Sequence, residues 1–199
     1  MRCRSEIRCR SGCVSNPSVD AFRMNYCFIT EQHQPAAETS LLPDDFPLEL
    51  AFSSGAGAWA TGLTLNRDGT FTGGYRDSNM GEIGNGYPNG TVFYCNFEGS
   101  FEIVGQVDEY TYSLRLVELV QNDVPGTERI EDGVRYVATE PYGLEDGTEF
   151  LLYLPGTPHE LLTEDFQSWN LEMLYGGETD ALSGYGLRNV AIGYGFFGK

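Results

Sequence analysis

From residue 47 onward, apolar side chains recur at alternate positions, the period of a strand with one face in a core and the other in water. The clearest run is 57–65, where Trp59, Thr61, Leu63 and Leu65 share one face and Ala58, Ala60, Gly62 and Thr64 the other. Asn66-Arg67-Asp68-Gly69 follows, with Asp-Gly in place for a tight hairpin turn. Residues 70–76 resume the alternation, Phe71 and Tyr75 lying on one side with Gly73 between them. Residues 47–52 (PLELAF) form a short strand before this hairpin. A second long hairpin is expected from 91–104, carrying Phe93, Cys95, Phe97, Phe101 and Ile103, and 110–120, carrying Tyr110, Tyr112, Leu114 and Leu116. Its turn lies at 105–109, and Gly99 marks a bulge or bend. Residues 134–139 and 148–154 read as a further strand pair, and 187–197 as a final apolar strand. Between them, 77–91 and 121–133 are rich in Gly, Asn, Pro and charge and read as loops.

The period changes once. Thr157-Pro158-His159-Glu160 has the form of a capping box with Pro at the first helical position. Leu161, Leu162, Phe166 and Trp169 follow at helical spacing, which predicts a helix of about 10–12 residues over 158–169. Residues 170–184 carry no clear pattern. Seven or eight strands, turns at hairpin spacing and one short helix before the last strand predict a mainly β chain, an antiparallel up-and-down β-barrel. A last strand pairing with the first removes the open edges.

Composition and charge narrow the partners. The chain has 199 residues, a net charge of −17, 41% hydrophobic and 13% aromatic residues, and a single lysine, Lys199. The charge is uneven: five arginines face four acids in residues 1–43, leaving 25 acidic and seven basic side chains in 44–199. Such a body repels a phosphate backbone, so no nucleic-acid partner is expected. Four of the five cysteines (Cys3, Cys9, Cys13, Cys27) fall in the first 27 residues and the fifth is Cys95, so no disulfide framework supports the body. Zinc at Cys9-x3-Cys13 lacks a second half-site. Residues 1–43 read as a poorly ordered leader or linker without the apolar core of a signal peptide, and 44–199 as the barrel domain. No stretch approaches the ~20 apolar residues of a membrane span.

No catalytic or metal-ligating constellation stands out, and no cofactor is expected. The body's one histidine, His159, sits at the predicted helix start, a solvated position. Asp77-Ser78-Asn79 and Glu82 lack calcium-loop spacing, and the glycines at 81, 84, 86 and 90 precede no Lys-Ser/Thr pair. Asn89-Gly90-Thr91 is a glycosylation sequon, meaningful only in a eukaryotic secretory protein.

The remaining lead is aromatic. Gly57-Ala58-Trp59 at the start of the first long strand resembles the Gly-x-Trp signature of lipocalins and other calycin barrels. The resemblance implies that Trp59 closes one end of the barrel and that a basic residue from a late strand, here Arg188, packs across it. The helix before the last strand and the missing tail disulfide depart from lipocalin order. The acidic, Gly/Tyr-rich body is also similar to exported proteins of Gram-positive bacteria, which points to the extracellular space or cell surface. Small barrels are packed by side chains, so the strand aromatics fill the core unless some line a mouth. Read functionally, Trp59, Tyr75, Tyr87, Tyr94, Tyr112 and Arg188 line a mouth rimmed by the 77–91 loop, suited to a small apolar or sugar-like ligand. The alternative is a packed barrel acting on a protein partner through its loops. The first is a non-catalytic binding module and the second a structural or interaction protein or an inhibitor; a monomer is expected for both, and an enzyme ranks behind them.

Overall fold

In the computed structural model of the chain, residues 42–171, 176 and 179–199 are described, and their strands form one sheet. The leader or linker expected over 1–43 therefore lies, up to residue 41, outside the described residues. The strands are β1 (Leu48–Ser53), β2 (Trp59–Leu65), β3 (Thr70–Asn79), β4 (Thr91–Gln106), β5 (Thr111–Gln121), β6 (Glu128–Glu131), β7 (Val134–Ala138), β8 (Glu149–Tyr153), β9 (Tyr185–Asn189) and β10 (Gly195–Gly198). Eight of them, β1-β2-β3-β4-β5-β8-β9-β10, pair antiparallel in that order, and β10 returns to β1, which closes the barrel. The remaining two, β6 and β7, form a hairpin flap attached to the outer part of β4.

The alternation of β2 and β3 is realised as expected. Thr61, Leu63, Leu65 and Phe71 are buried, and the turn between the strands places Gly69 at φ +87°. Asp68 accepts the Thr70 amide at 3.0 Å and its hydroxyl at 2.6 Å, which holds the Asp68 carboxyl below its ordinary value. β4 is long enough to serve two neighbours. Thr91–Tyr94 pairs in parallel with Arg135–Ala138 of β7, and Phe97–Gln106 pairs with β5 across register shifts at Ser100/Phe101 and Ile103/Gly105. The first shift adjoins Gly99, as expected of a bulge.

Four expectations are corrected. β7 and β8 do not pair with each other: β7 lies between β6 and β4, and β8 between β5 and β9. The cause is a two-residue turn at Asp132-Gly133, both at positive φ (50° and 77°), which folds β7 back on residues assigned to the 121–133 loop. The 77–91 loop is shorter, since β3 runs to Asn79. Residues 187–197 form a β9–β10 hairpin rather than one strand. The helix over 158–169 is broken into a 3-10 turn, His159–Leu161, and one turn of helix, α1 (Glu164–Gln167). Thr157 does not cap it: its hydroxyl points back to the Leu154 carbonyl at 2.7 Å, and residues 156–159 hydrogen-bond along 180–182 as extended chain.

Inward residues of every barrel strand fill the interior. Leu48, Leu63, Leu114, Phe150, Leu152, Leu187 and Phe196 are all at most 2% exposed. Both ends are covered. At the end of Leu65, Leu42 and Phe46 pack on the core, the Tyr185 hydroxyl donates to Asp45 at 2.6 Å, and Arg67 pairs with Asp44 at 2.7 Å. The folded body thus includes Leu42, slightly before the expected boundary at 44. At the end of Trp59, the link from β7 to β8 crosses the barrel. Tyr142 reaches inward from it, the Thr61 hydroxyl donates to the Tyr142 carbonyl at 2.6 Å, and Asn189 donates to the carbonyls of Gly143 and Glu145, each at 3.1 Å. Gly143 has φ +101°, and a Cβ there would meet the rings of Phe52 and Phe196 at 2.8 Å. Outside the barrel, Tyr153, Leu162, Phe166 and Leu182 make a second, smaller apolar cluster.

Phe150 is fully buried against the Phe101 ring at 4.9 Å. Phe150→Ala is expected to lower the unfolding free energy by about 3–5 kcal/mol in urea titration, the range for removing a core phenyl ring. A loss below about 1 kcal/mol would show that the interior is not filled in this way.

Candidate functional site

Two aromatic groups stand where they can meet something outside the protein. The first is at the Trp59 end. Phe52 lies at its base, and around it Trp59, Tyr142, Trp169 and Tyr194 pack at centroid distances of 4.9, 5.5, 4.9 and 5.0 Å. Phe52 is buried, whereas the other four and Tyr75, 5.6 Å from Tyr142, are half-buried. Sequence alternation aims Trp59 and Tyr75 at this end, but Tyr142, Trp169 and Tyr194 come from a link, a turn and a loop with no period to read. The hydroxyls of Tyr142 and Tyr194 are 3.5 Å apart, and burial raises the Tyr142 phenol, with the Tyr194 hydroxyl adding to the shift. Glu145 accepts the Gly143 amide beside this group, and burial raises its carboxyl above the ordinary 4.5.

The second group is on the flap. Alternation separates Arg135 and Tyr136 onto opposite faces of β7. On one face, the Arg135 guanidinium lies 4.9 Å from the Tyr87 ring and bonds Glu82, with the Thr91 hydroxyl at 3.2 Å. On the other, the Arg129 guanidinium lies 4.7 Å from the Tyr94 centroid and 4.6 Å from that of Tyr136, and donates to the Tyr94 hydroxyl. Gly74, Tyr75, Arg76, Val92 and Asn96 complete a concavity of about 370 Å³ around these rings.

The six residues expected to line one mouth are therefore dispersed. Trp59 and Tyr75 meet at the barrel end through Tyr142. Tyr87 and Tyr94 lie on opposite faces of the flap. Tyr112 is 7% exposed in the core. Arg188 is on the outer face of β9, opposite Leu151 and beside Tyr153, while Leu187 and Asn189 point inward. It does not lie across Trp59: aromatic rings occupy that position. The 80–90 segment is no open rim either, since Gly84 and Tyr87 bridge, and the Asn89 amide donates to the Asp132 carbonyl at 3.0 Å. Sequence reasoning missed Arg129 and Arg76, and the signal for Arg129 was Asp132-Gly133, the turn that sets Arg129 opposite Tyr136.

Other chemistry is sparse. Among the described residues no three His, Cys, Asp or Glu side chains converge, and no helix is long and apolar enough to cross a membrane. His159 lies in the 3-10 turn, its Nε2 without a hydrogen-bond partner among the described residues. The Cys95 thiol is buried and pushed up to about 11, first by burial and then by Glu140 and Asp123. No family model, curated protein or solved structure matches the chain.

Two predictions follow from these environments. A carboxyl whose folded value is raised contributes stability below its unfolded value and loses it as pH rises through the folded value. Glu145→Gln is therefore expected to flatten the decline in stability as pH rises above the ordinary carboxyl value of 4.5, measured by denaturant titration. An unchanged slope would place the Glu145 charge in water. Peptide mapping after alkylation of the native protein at neutral pH is expected to find Cys95 unmodified, because a buried, protonated thiol is a poor nucleophile. Rapid labelling would contradict its burial.

Proposed function

We propose that this chain is a non-catalytic binding module in which a filled barrel is the scaffold and the ligand is met by the outer face of the β6–β7 flap. The observation that carries this is the concavity on that face: two arginines, three tyrosines and an asparagine line it, with no carboxylate, in a body of net negative charge. Arginine and tyrosine supply much of the contact energy at binding surfaces, because each joins a broad apolar face to polar groups. Packed side chains and covered ends support a surface site over an interior one. On composition, we assign the site of action to the extracellular space or cell surface.

A second reading rests on the half-buried rings of Trp59, Trp169 and Tyr194 around Phe52, which would accept a small apolar or sugar-like ligand on the barrel rim. The two readings separate in one screen. Small-molecule and oligosaccharide ligands are titrated into the full chain by calorimetry, alongside Tyr94→Ala, Tyr136→Ala and Trp59→Phe. The flap reading expects binding to fall about tenfold or more in the two tyrosine variants, equivalent to ~1.4 kcal/mol, and to be unchanged in Trp59→Phe. Binding that depends on Trp59 alone, with a change in tryptophan fluorescence, would overturn the flap reading in favour of the rim.

A further inference from the structure

We infer that the flap concavity is a subsite for a carboxylate-bearing sugar, a uronate unit of an acidic oligosaccharide; this rests on the reading of the flap as the binding surface. Strand register builds the site. Arg76 pairs with Tyr94, Gly74 with Asn96, and Arg129 with Tyr136, so all six residues share one outward face across β3, β4, β7 and β6.

Each group has a distinct chemical use. The Arg129 guanidinium is placed in advance: it rests against two tyrosine rings and donates to the Tyr94 hydroxyl, so little rotamer freedom is left to lose on binding. Its ion-pair partner among the described residues is Glu131, 3.8 Å from Nε and 65% exposed, a weak pair that leaves donors for a ligand. Arg76 is exposed and makes no ion pair among the described residues. Two guanidinium groups bordering a concavity match a carboxylate, which arginine grips through paired hydrogen bonds. Gly74 leaves the floor without a side chain next to the Asn96 amide, giving a saccharide ring room and a hydroxyl partner. The tyrosine rings offer an apolar face to the C–H side of that ring.

The rest of the molecule selects among anions. With 25 acidic and seven basic residues after position 43, the body repels densely charged polymers, whereas one carboxylate feels mainly the contacting arginines. An acidic peptide is the competing occupant. It carries backbone donors and acceptors, yet β4 beneath the concavity is already hydrogen-bonded on both sides, to β3 and β7. The free edge beside it, that of β6, is four exposed residues long and carries Glu128 and Glu131, which repel an acidic peptide.

The test is calorimetric titration of the full chain with a short galactose oligomer carrying a single galacturonate unit, the neutral galactose oligomer of equal length and a peptide carrying a single glutamate, at low salt. The uronate is expected to bind. Arg76→Gln and Arg129→Gln are each expected to weaken it about tenfold or more at unchanged melting temperature, from the ~1.4 kcal/mol or greater worth of a charge-assisted hydrogen bond. The neutral oligomer is expected to bind at least about tenfold more weakly than the uronate. Equal binding of neutral and acidic sugars, or uronate binding indifferent to both arginines, overturns the inference. Tighter binding of the peptide, lost in the same two variants, also overturns it while leaving the flap as the binding surface. Ligand binding that ignores Tyr94→Ala as well as both arginine variants overturns the flap reading itself.

Discussion

Closure of the sheet by β10 against β1 is the constraint on which the rest depends. Once Ala51 faces Phe197 and Leu50 faces Gly198, every inward side chain of eight strands shares one enclosed space. An eight-stranded barrel is just wide enough for side chains to fill, or for one small ligand in their place. This chain spends its inward positions on Phe, Leu and Tyr, which occupy that space themselves. Glycines appear where two rings would otherwise collide with backbone: a Cβ at Gly73 would sit 2.5 Å from the Phe97 ring. The filled interior then requires covered ends, met by residues 42–46 on one side and Tyr142 with its neighbours on the other.

A filled barrel moves recognition outward, and β4 is what makes an outside available. Its first four residues bond to β3 and β7, and the rest to β3 and β5, so one strand belongs both to the barrel wall and to the flap. Arg135 secures one face of the flap through Glu82, Thr91 and Tyr87. That leaves the other face, with Arg129, Tyr94 and Tyr136, free for contact. One strand thus transmits the rigidity of the core to a surface that would otherwise be a four-residue edge hairpin.

What could be read from residues alone followed the range of the interactions involved. Alternation in 57–65 and 70–76 placed Leu63, Leu65 and Phe71 inside, because one buried face is a local requirement. Partner choice is not local: the pattern in 134–139 marks a strand but leaves open whether β4 or β8 receives it. Asp132-Gly133 decided that, and it is the same signal that identified the β2–β3 hairpin, hidden by the acidic residues around it. The helix is shorter than expected for a related reason. Thr157 has the chemistry of a cap, yet its hydroxyl found the Leu154 carbonyl, and extended pairing with 180–182 outweighed a one-turn preference. At the site, Trp59 and Tyr75 were legible because they sit on strands. Tyr142, Trp169 and Tyr194 were not, because only the closed barrel brings their segments to one end.

The β1–β10 seam also bears on how the chain reaches this state. Its partners are drawn from opposite ends of the domain, so β1 keeps an unpaired edge until β10 has formed and arrived. Pairings of such long sequence separation close late, since the loop entropy must be met before any contact forms. The hairpins β2–β3 and β4–β5 can form beforehand from neighbouring residues. The order of events is then local ribbons first and seam last, and the moment of greatest exposure to other chains falls between the two.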